Sequence, residues 1–133
     1  MPAARILVVD DNGSNLELML YLLHAFGYRA EGASDGLSGL ERARGTRFDA
    51  VLVDILMPGI DGYEFARRFK SDAARATTPL IAVTALAMVG DRERAFSAGF
   101  DGYITKPIDP QAFLAQVETH LAESLRSDSA SPS

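Results

Sequence analysis

A chain of 133 residues, 47% of them hydrophobic, suffices for one domain with a single core and leaves no room for a second functional domain. Its net charge of -5 and scattered Lys and Arg residues lack the massed basic surface that nucleic acid demands, so no direct nucleic-acid contact is expected. Without cysteine, disulfides and thiolate-ligated metals are excluded; without an apolar run of membrane length, no membrane insertion is expected, and the reading is a cytoplasmic protein.

Five β-like runs, at 5–9, 29–33, 50–53, 80–83 and 102–104, alternate with five helix-like segments, the pattern of a parallel sheet covered on both faces. The first run ends in Asp10-Asp11-Asn12-Gly13-Ser14, a turn-and-cap cluster that starts a helix with Leu16, Met19, Leu20, Leu23 and Phe26 on its core stripe. Leu18, Leu22 and Ala25 form a second apolar face on that helix, which reads either as packing on two sides or as a patch for a partner. Asp35-Gly36 opens the second helix and Gly45 closes it. The third run is apolar without interruption, as a strand buried on both faces must be, and it stops on Asp54 before a long turn from Met57 to Gly62. Taken alone, Asp54 reads equally as a loop or capping acid and as a functional carboxylate.

A third helix over 63–70 turns Phe65, Ala66 and Phe69 inward. A fourth runs from about Asp91 to Ala98, where Gly99 stops it, and Arg92, Arg94 and Phe100 are expected at the surface. Asp109-Pro110 supplies a cap and first-turn pair for the last helix, whose inner face carries Phe113, Leu114, Val117 and Leu121. The domain is drawn at 1–123, followed by a Ser-rich tail at 124–133 with no core pattern.

In a doubly wound parallel sheet the C-terminal ends of all strands share one edge, and ligands bind in the crevice there. That rule gathers Asp10 and Asp11 after the first strand, Asp54 after the third, Thr84 after the fourth and Lys106 after the fifth. Three carboxylates a few ångströms apart repel by about 4 kcal/mol per close pair at an effective dielectric of about 20, so the site calls for a cation or a raised pKa. Mg²⁺ suits such an all-oxygen site, with Asp11 and Asp54 as direct ligands, the main-chain carbonyl of Leu56 as a third, and Asp10 acting through water. Lys106 and Thr84 suit phosphoryl oxygens, and Asp54, alone at the end of a buried strand, is the best nucleophile for an aspartyl phosphate. Singly, each residue has a plainer role: capping for the Asp-Asp pair, strand for Thr84, exposed loop for Lys106-Pro107. His24 and His120 lack a second ligand at metal-type spacing and read as structural or surface residues.

Four stretches, Val8-Val9-Asp10-Asp11-Asn12, Val53-Asp54-Ile55-Leu56-Met57-Pro58, Val83-Thr84-Ala85 and Tyr103-Ile104-Thr105-Lys106-Pro107, follow one another at domain-wide spacing. Together they resemble the receiver domains of two-component response regulators, including single-domain types of the chemotaxis and DivK-like kind, over about residues 4–123. The resemblance implies an α/β fold of the flavodoxin-like (βα)5 type, with five parallel strands in the order 2-1-3-4-5 and Mg²⁺ at the acidic cluster. It implies transfer of a phosphoryl group to Asp54 from the phosphohistidine of a sensor histidine kinase or phosphotransfer protein. It further implies that Thr84 moves to the phosphoryl group beside the small Ala85, and that Tyr103 rotates inward. The face of the fourth helix, fifth strand and fifth helix would then change for a downstream protein target. A cis Lys106-Pro107 bond is implied as well.

Two expectations go beyond that shared pattern. Leu56 and Leu86 lie two residues past Asp54 and Thr84, and since neither can orient a hydrolytic water, slow self-dephosphorylation is expected. Leu18, Leu22, Pro107 and Ile108 are expected to form an apolar collar that docks the kinase or phosphotransfer helix. The output expected is a phosphorylation-switched binding module rather than an enzyme, and a receiver cut from a hybrid kinase or phosphorelay protein would carry the same residues. A haloacid-dehalogenase-type phosphohydrolase fits poorly, because it places its nucleophile after the first strand with a second Asp two residues on, where this chain has Leu56. An FMN-binding flavodoxin would set its phosphate against Asp10-Asp11.

Overall fold

The stretches at 6–9, 50–53 and 80–83 are apolar without alternation because each strand feeds two cores at once. In the computed structural model, which describes residues 4–121, β1 (Arg5–Val9) sends Leu7 and Val9 to one side of the sheet and Ile6 and Val8 to the other. β3 (Ala50–Val53) and β4 (Leu80–Thr84) divide in the same way, with Val51, Val53, Leu80 and Ala82 opposed to Ala50, Leu52, Ile81 and Val83. With β2 (Arg29–Ala33) and β5 (Gly102–Thr105) they form one parallel sheet in the order β2-β1-β3-β4-β5, the expected topology. One side is covered by α2 (Gly36–Gly45), α3 (Gly62–Lys70) and α4 (Asp91–Ala98), the other by α1 (Gly13–Ala25) and α5 (Pro110–Glu118). Each large aliphatic or aromatic side chain fully buried in these layers contributes roughly 1.5–3 kcal/mol.

Short polar residues in the loops that leave the strands start four of the helices. The side chains of Asn12, Asp35, Asp61 and Asp109 accept the backbone N–H groups of Asn15, Ser38, Glu64 and Gln111. The helix N-termini therefore sit at the strands' C-terminal edge, and the capping loops form its rim.

Several local expectations change. α1 stops at Ala25, so Phe26 is a capping residue, 39% exposed, and Tyr28 takes the core position, its hydroxyl donating to Glu118 on α5. Phe100 is buried rather than at the surface: Gly99 adopts φ +119, a conformation open to glycine, and the turn delivers Phe100 into the core with Ala95. β4 and β5 run one residue past their expected ends, where Thr84 and Thr105 pair, so Thr84 is the last residue of a strand and not the first of a loop. A short 3-10 turn at Ala73–Arg75, capped by Asp72, had no counterpart in the sequence reading. Leu121 is buried as expected although the regular helix ends at Glu118. The boundary at 123 and the tail lie outside the described residues. Among those residues, no helix is long and apolar enough to cross a membrane.

α3 begins directly against the loop that carries Asp54. The Gly62 N–H donates to the Ile55 carbonyl at 2.9 Å, and a Cβ at position 62 would lie 2.5 Å from Ile55 Cα and 2.8 Å from the Asp54 carbonyl oxygen. Both obstacles are backbone, so they cannot swing aside. Gly62→Ala is expected to lower the unfolding free energy in urea by roughly 1–3 kcal/mol. Gly13→Ala, at a first-turn position with nothing within 4 Å, should leave stability unchanged or slightly higher.

Candidate functional site

Sheet register brings the candidate residues together. Val9 pairs with Val53, so Asp10 and Asp54, one residue on, stand side by side. The ladders continue past the strand ends: the Asp54 N–H donates to the Val9 carbonyl at 3.0 Å, that of Asp10 to Ala33 at 3.1 Å, and that of Lys106 to Thr84 at 2.9 Å. Asp10 and Asp54 are buried while Asp11 is exposed at the mouth, and one carboxylate oxygen from each of the three lies within 4.8 Å of the others.

Lys106 is the cation of this pocket. Its Nζ donates to Asp54 Oδ2 at 2.8 Å and forms an ion pair with Asp10 Oδ2, also at 2.8 Å. Asp10 Oδ2 is thus a buried oxygen held against the Lys106 ammonium. The other oxygens are held by backbone: Asp10 Oδ1 accepts the Asn12 N–H at 2.9 Å and Asp54 Oδ1 the Leu56 N–H at 3.0 Å. Burial pushes the Asp10 carboxyl above the usual carboxylate range; Lys106 and the Asn12 amide oppose this, and the charge on Asp54 adds to it. For Lys106 burial is the largest single influence and pulls downward, yet its bonds to Asp10 and Asp54 and their charges together hold its pKa above the ordinary lysine value. One cation against three carboxylates leaves the pocket short of positive charge. A hard, all-oxygen donor set of three carboxylates with one ammonium among them fits a small divalent cation such as Mg²⁺.

Thr84 is fully buried, and its Oγ1 accepts the Leu86 N–H at 3.4 Å, a long and weak bond. The carbonyl of Leu86 in turn accepts the hydroxyl of Tyr103. Tyr103 is half-buried, and burial raises its pKa; the hydroxyl is bonded inside the protein rather than left in water. One residue therefore links Thr84 to Tyr103, and sequence reasoning had assigned Leu86 only a side-chain role. The available signal was its position two residues past Thr84, but which backbone groups it would meet is a tertiary fact. Ala85 and Leu56 are exposed beside the pocket, and the Lys106-Pro107 bond is cis.

The residues of the expected docking collar differ in burial. Leu18 and Leu22 are half-buried against the core layer that contains Ile108, which is itself buried, while Pro107 is exposed. Packing accounts for Leu18 and Leu22 in part, while Ala25 on the same face of α1 is exposed. His24 Nε2 lies 2.9 Å from the Ala30 carbonyl, and His120 packs over Gly102, so neither joins the acidic cluster.

The raised pKa of Asp10 has a definite sign in stability. The folded state holds this proton more tightly than the unfolded chain, so the stabilising effect is complete below the ordinary Asp pKa of about 3.9 and is lost as pH rises through the higher folded value. In metal-free protein, the melting-temperature advantage of Asp10→Asn over the parent is expected to grow as pH rises through that window. Differential scanning calorimetry in EDTA across a pH series measures it; an advantage independent of pH contradicts the assignment.

With the geometry in hand, comparison with known proteins is informative. Residues 6–118 match the model of the response regulator receiver domain. The polar-differentiation response regulator DivK of Brucella anthropi is 37% identical over 118 residues, covering 89% of this chain and 96% of the relative, and DivK of Brucella ovis is 36% identical over the same length. Among solved structures, the Vibrio cholerae chemotaxis protein CheY4 superposes with a TM-score of 0.87 at 28% identity, over 90% of this chain and all of that one. The receiver domain of the sensor histidine kinase PA1611 from Pseudomonas aeruginosa, which has a magnesium ion coordinated in its active-site cleft, gives 0.81 at 32% identity over 89% and 97% of the two chains. The sheet order, the buried pair of aspartates bridged by Lys106 and the match over residues 6–118 agree, and the chain belongs to the response regulator receiver domain family.

Proposed function

We propose that this domain accepts a phosphoryl group on Asp54 from the phosphohistidine of a sensor histidine kinase or phosphotransfer protein and converts it into a changed protein-binding surface. The observation that carries this reading is the buried Asp54 carboxylate, 2.8 Å from the Lys106 ammonium and flanked by two further carboxylates at the sheet's C-terminal edge. Mg²⁺ would be held by Asp11, Asp54 and the Leu56 carbonyl, with Asp10 acting through water, and when bound it offsets charge on the transferring group. In the transfer, an Asp54 oxygen bonds to phosphorus as the P–N bond to the donor imidazole breaks. The bonding pair leaves with the imidazole nitrogen, which takes up a proton. Lys106, kept charged by its raised pKa, attracts the phosphoryl oxygens.

The phosphoryl group brings about -1.5 to -2 charges into the pocket. Thr84 gives up its weak bond to the Leu86 N–H and donates its hydroxyl to a phosphoryl oxygen, and Ala85 leaves room for that movement. Leu86, altered on its amide side, transmits the change through its carbonyl to Tyr103 and so to the face of α4, β5 and α5, where a downstream protein binds. The donor approaches over Pro107 and the exposed flanks of Leu18 and Leu22, with Ile108 supporting them from below.

Incubation with Mg²⁺ and acetyl phosphate should give one phosphoryl adduct by intact mass, absent in Asp54→Asn and absent without the metal. Multiple turnover of a phosphate ester with no adduct would overturn the reading in favour of a phosphohydrolase. Leu56→Asn, which supplies an amide able to orient water at the exposed position beside Asp54, is expected to shorten the lifetime of the adduct several-fold. A lifetime equal to that of the parent would remove Leu56 as the residue that slows hydrolysis.

A further inference from the structure

The molecule carries a net charge of -5, yet no acidic residue lines a cavity of about 250 Å³ at the sheet edge opposite Asp54. The cavity lies between the C-terminal ends of α2 and α3, the 3-10 turn and the segments that enter β3 and β4. Its apolar lining includes Phe48 and Phe69, both buried, and it is also lined by Arg44, Arg47 and Arg75. A second hollow of about 180 Å³, lined also by Asp72, shares Ala43, Arg44, Phe69 and Arg75 with it.

The three guanidinium groups are not equivalent. Arg75 is part of the wall: its Nε donates to the Ala43 carbonyl in the last turn of α2 at 2.7 Å, and its Nη1 pairs with Asp72. Elsewhere on these helices Arg42 pairs with Glu31, and Arg67 and Arg68 pair with Glu64. Arg44 and Arg47 have no ion-pair or hydrogen-bond partner among the described residues, although the turn after α2 brings both to one cavity. Two cations without an ion-pair partner among the described residues at a shared apolar hollow match an anionic occupant, and the guanidinium fork pairs with carboxylate or phosphate oxygens. The hollow is smaller than the roughly 300–1,000 Å³ of small-ligand pockets and has room for a single inserted side chain.

We propose that this cavity docks an acidic peptide segment of a partner protein, with one apolar side chain against Phe48 and Phe69 and flanking carboxylates on Arg44 and Arg47. The site is independent of the phosphoacceptor, from which the whole length of the strands separates it.

The test is fluorescence anisotropy of the full chain with a labelled synthetic peptide in which one Leu is flanked on each side by Glu residues. Saturable binding is expected, weakened by added NaCl, reduced at least about tenfold by the double variant Arg44→Glu/Arg47→Glu, and unchanged in Asp54→Asn. Replacing the peptide's Leu by Ser should weaken it several-fold, and Arg44→Lys/Arg47→Lys should retain part of the affinity. Both arginines are exposed, and a thermal melt checks that each variant folds. The proposal is overturned if the peptide does not saturate or if the charge reversal leaves binding unchanged. It is equally overturned if inorganic pyrophosphate competes as well as the peptide, which would make this a small-anion site, or if the variant's only effect is loss of self-association in sedimentation, which would make a second copy the occupant.

Discussion

Lys106 Nζ lies 2.8 Å from a carboxylate oxygen of Asp10 and 2.8 Å from one of Asp54, and the arrangement of the upper edge of the sheet depends on that bridge. Two buried carboxylates on adjacent strands would otherwise repel each other where little water can screen them. A buried ion pair adds little net stability, because desolvation cancels much of the attraction. What it supplies is position: β1 and β3 must pair with Val9 opposite Val53, and β4 and β5 with Thr84 opposite Thr105, for one ammonium to reach both acids. With Asp11 at the mouth, the pocket still holds more negative than positive charge, an imbalance that a divalent cation would offset.

The same edge contains a weak joint beside firm ones. Asp10 and Asp54 each have an oxygen held by a backbone amide at close to ideal distance, whereas Thr84 holds the Leu86 amide at 3.4 Å. The Thr84 hydroxyl is therefore only weakly held where it stands. Leu86 is also the carbonyl partner of Tyr103, and the guanidinium of Arg92 on α4 lies 5.9 Å from the Tyr103 ring and 5.5 Å from that of Phe96. Consecutive contacts thus run from Thr84 through Leu86 and Tyr103 to Arg92 on α4.

The two edges differ in charge because every helix runs antiparallel to the strands. Helix N-termini at the upper edge carry partial positive charge, which favours the capping acids and the carboxylate cluster. The C-terminal ends at the lower edge carry the opposite sign, and Arg42, Arg44, Arg67, Arg68 and Lys70 lie in the last turns of α2 and α3. Lys70 ties the lower edge together through the carbonyls of Ala76 and Thr78 and the Asp101 carboxylate. Arg44 and Arg47 are left over from this arrangement, and their proximity to a small apolar hollow distinguishes them from an ordinary solvated basic face.

By itself, the sequence determined the element order, the parallel sheet and the identity of the residues at its C-terminal edge. These are consequences of local chemistry: uninterrupted apolar runs, capping acids and the rule that parallel strands end together. It misplaced Phe26 and Phe100 because both are apolar residues at helix ends, where a turn of one or two residues decides between core and solvent. It left the second apolar face of α1 open between packing and a partner patch, since spacing along α1 cannot say which helix packs against it. Only the tertiary structure decided that Lys106 bridges both buried aspartates, that Leu86 joins Thr84 to Tyr103 through its backbone, and that Arg44 and Arg47 share one hollow with Phe48 and Phe69. Each of these pairs residues from separate elements, and a contact of that kind depends on strand register and helix packing, which no local pattern contains.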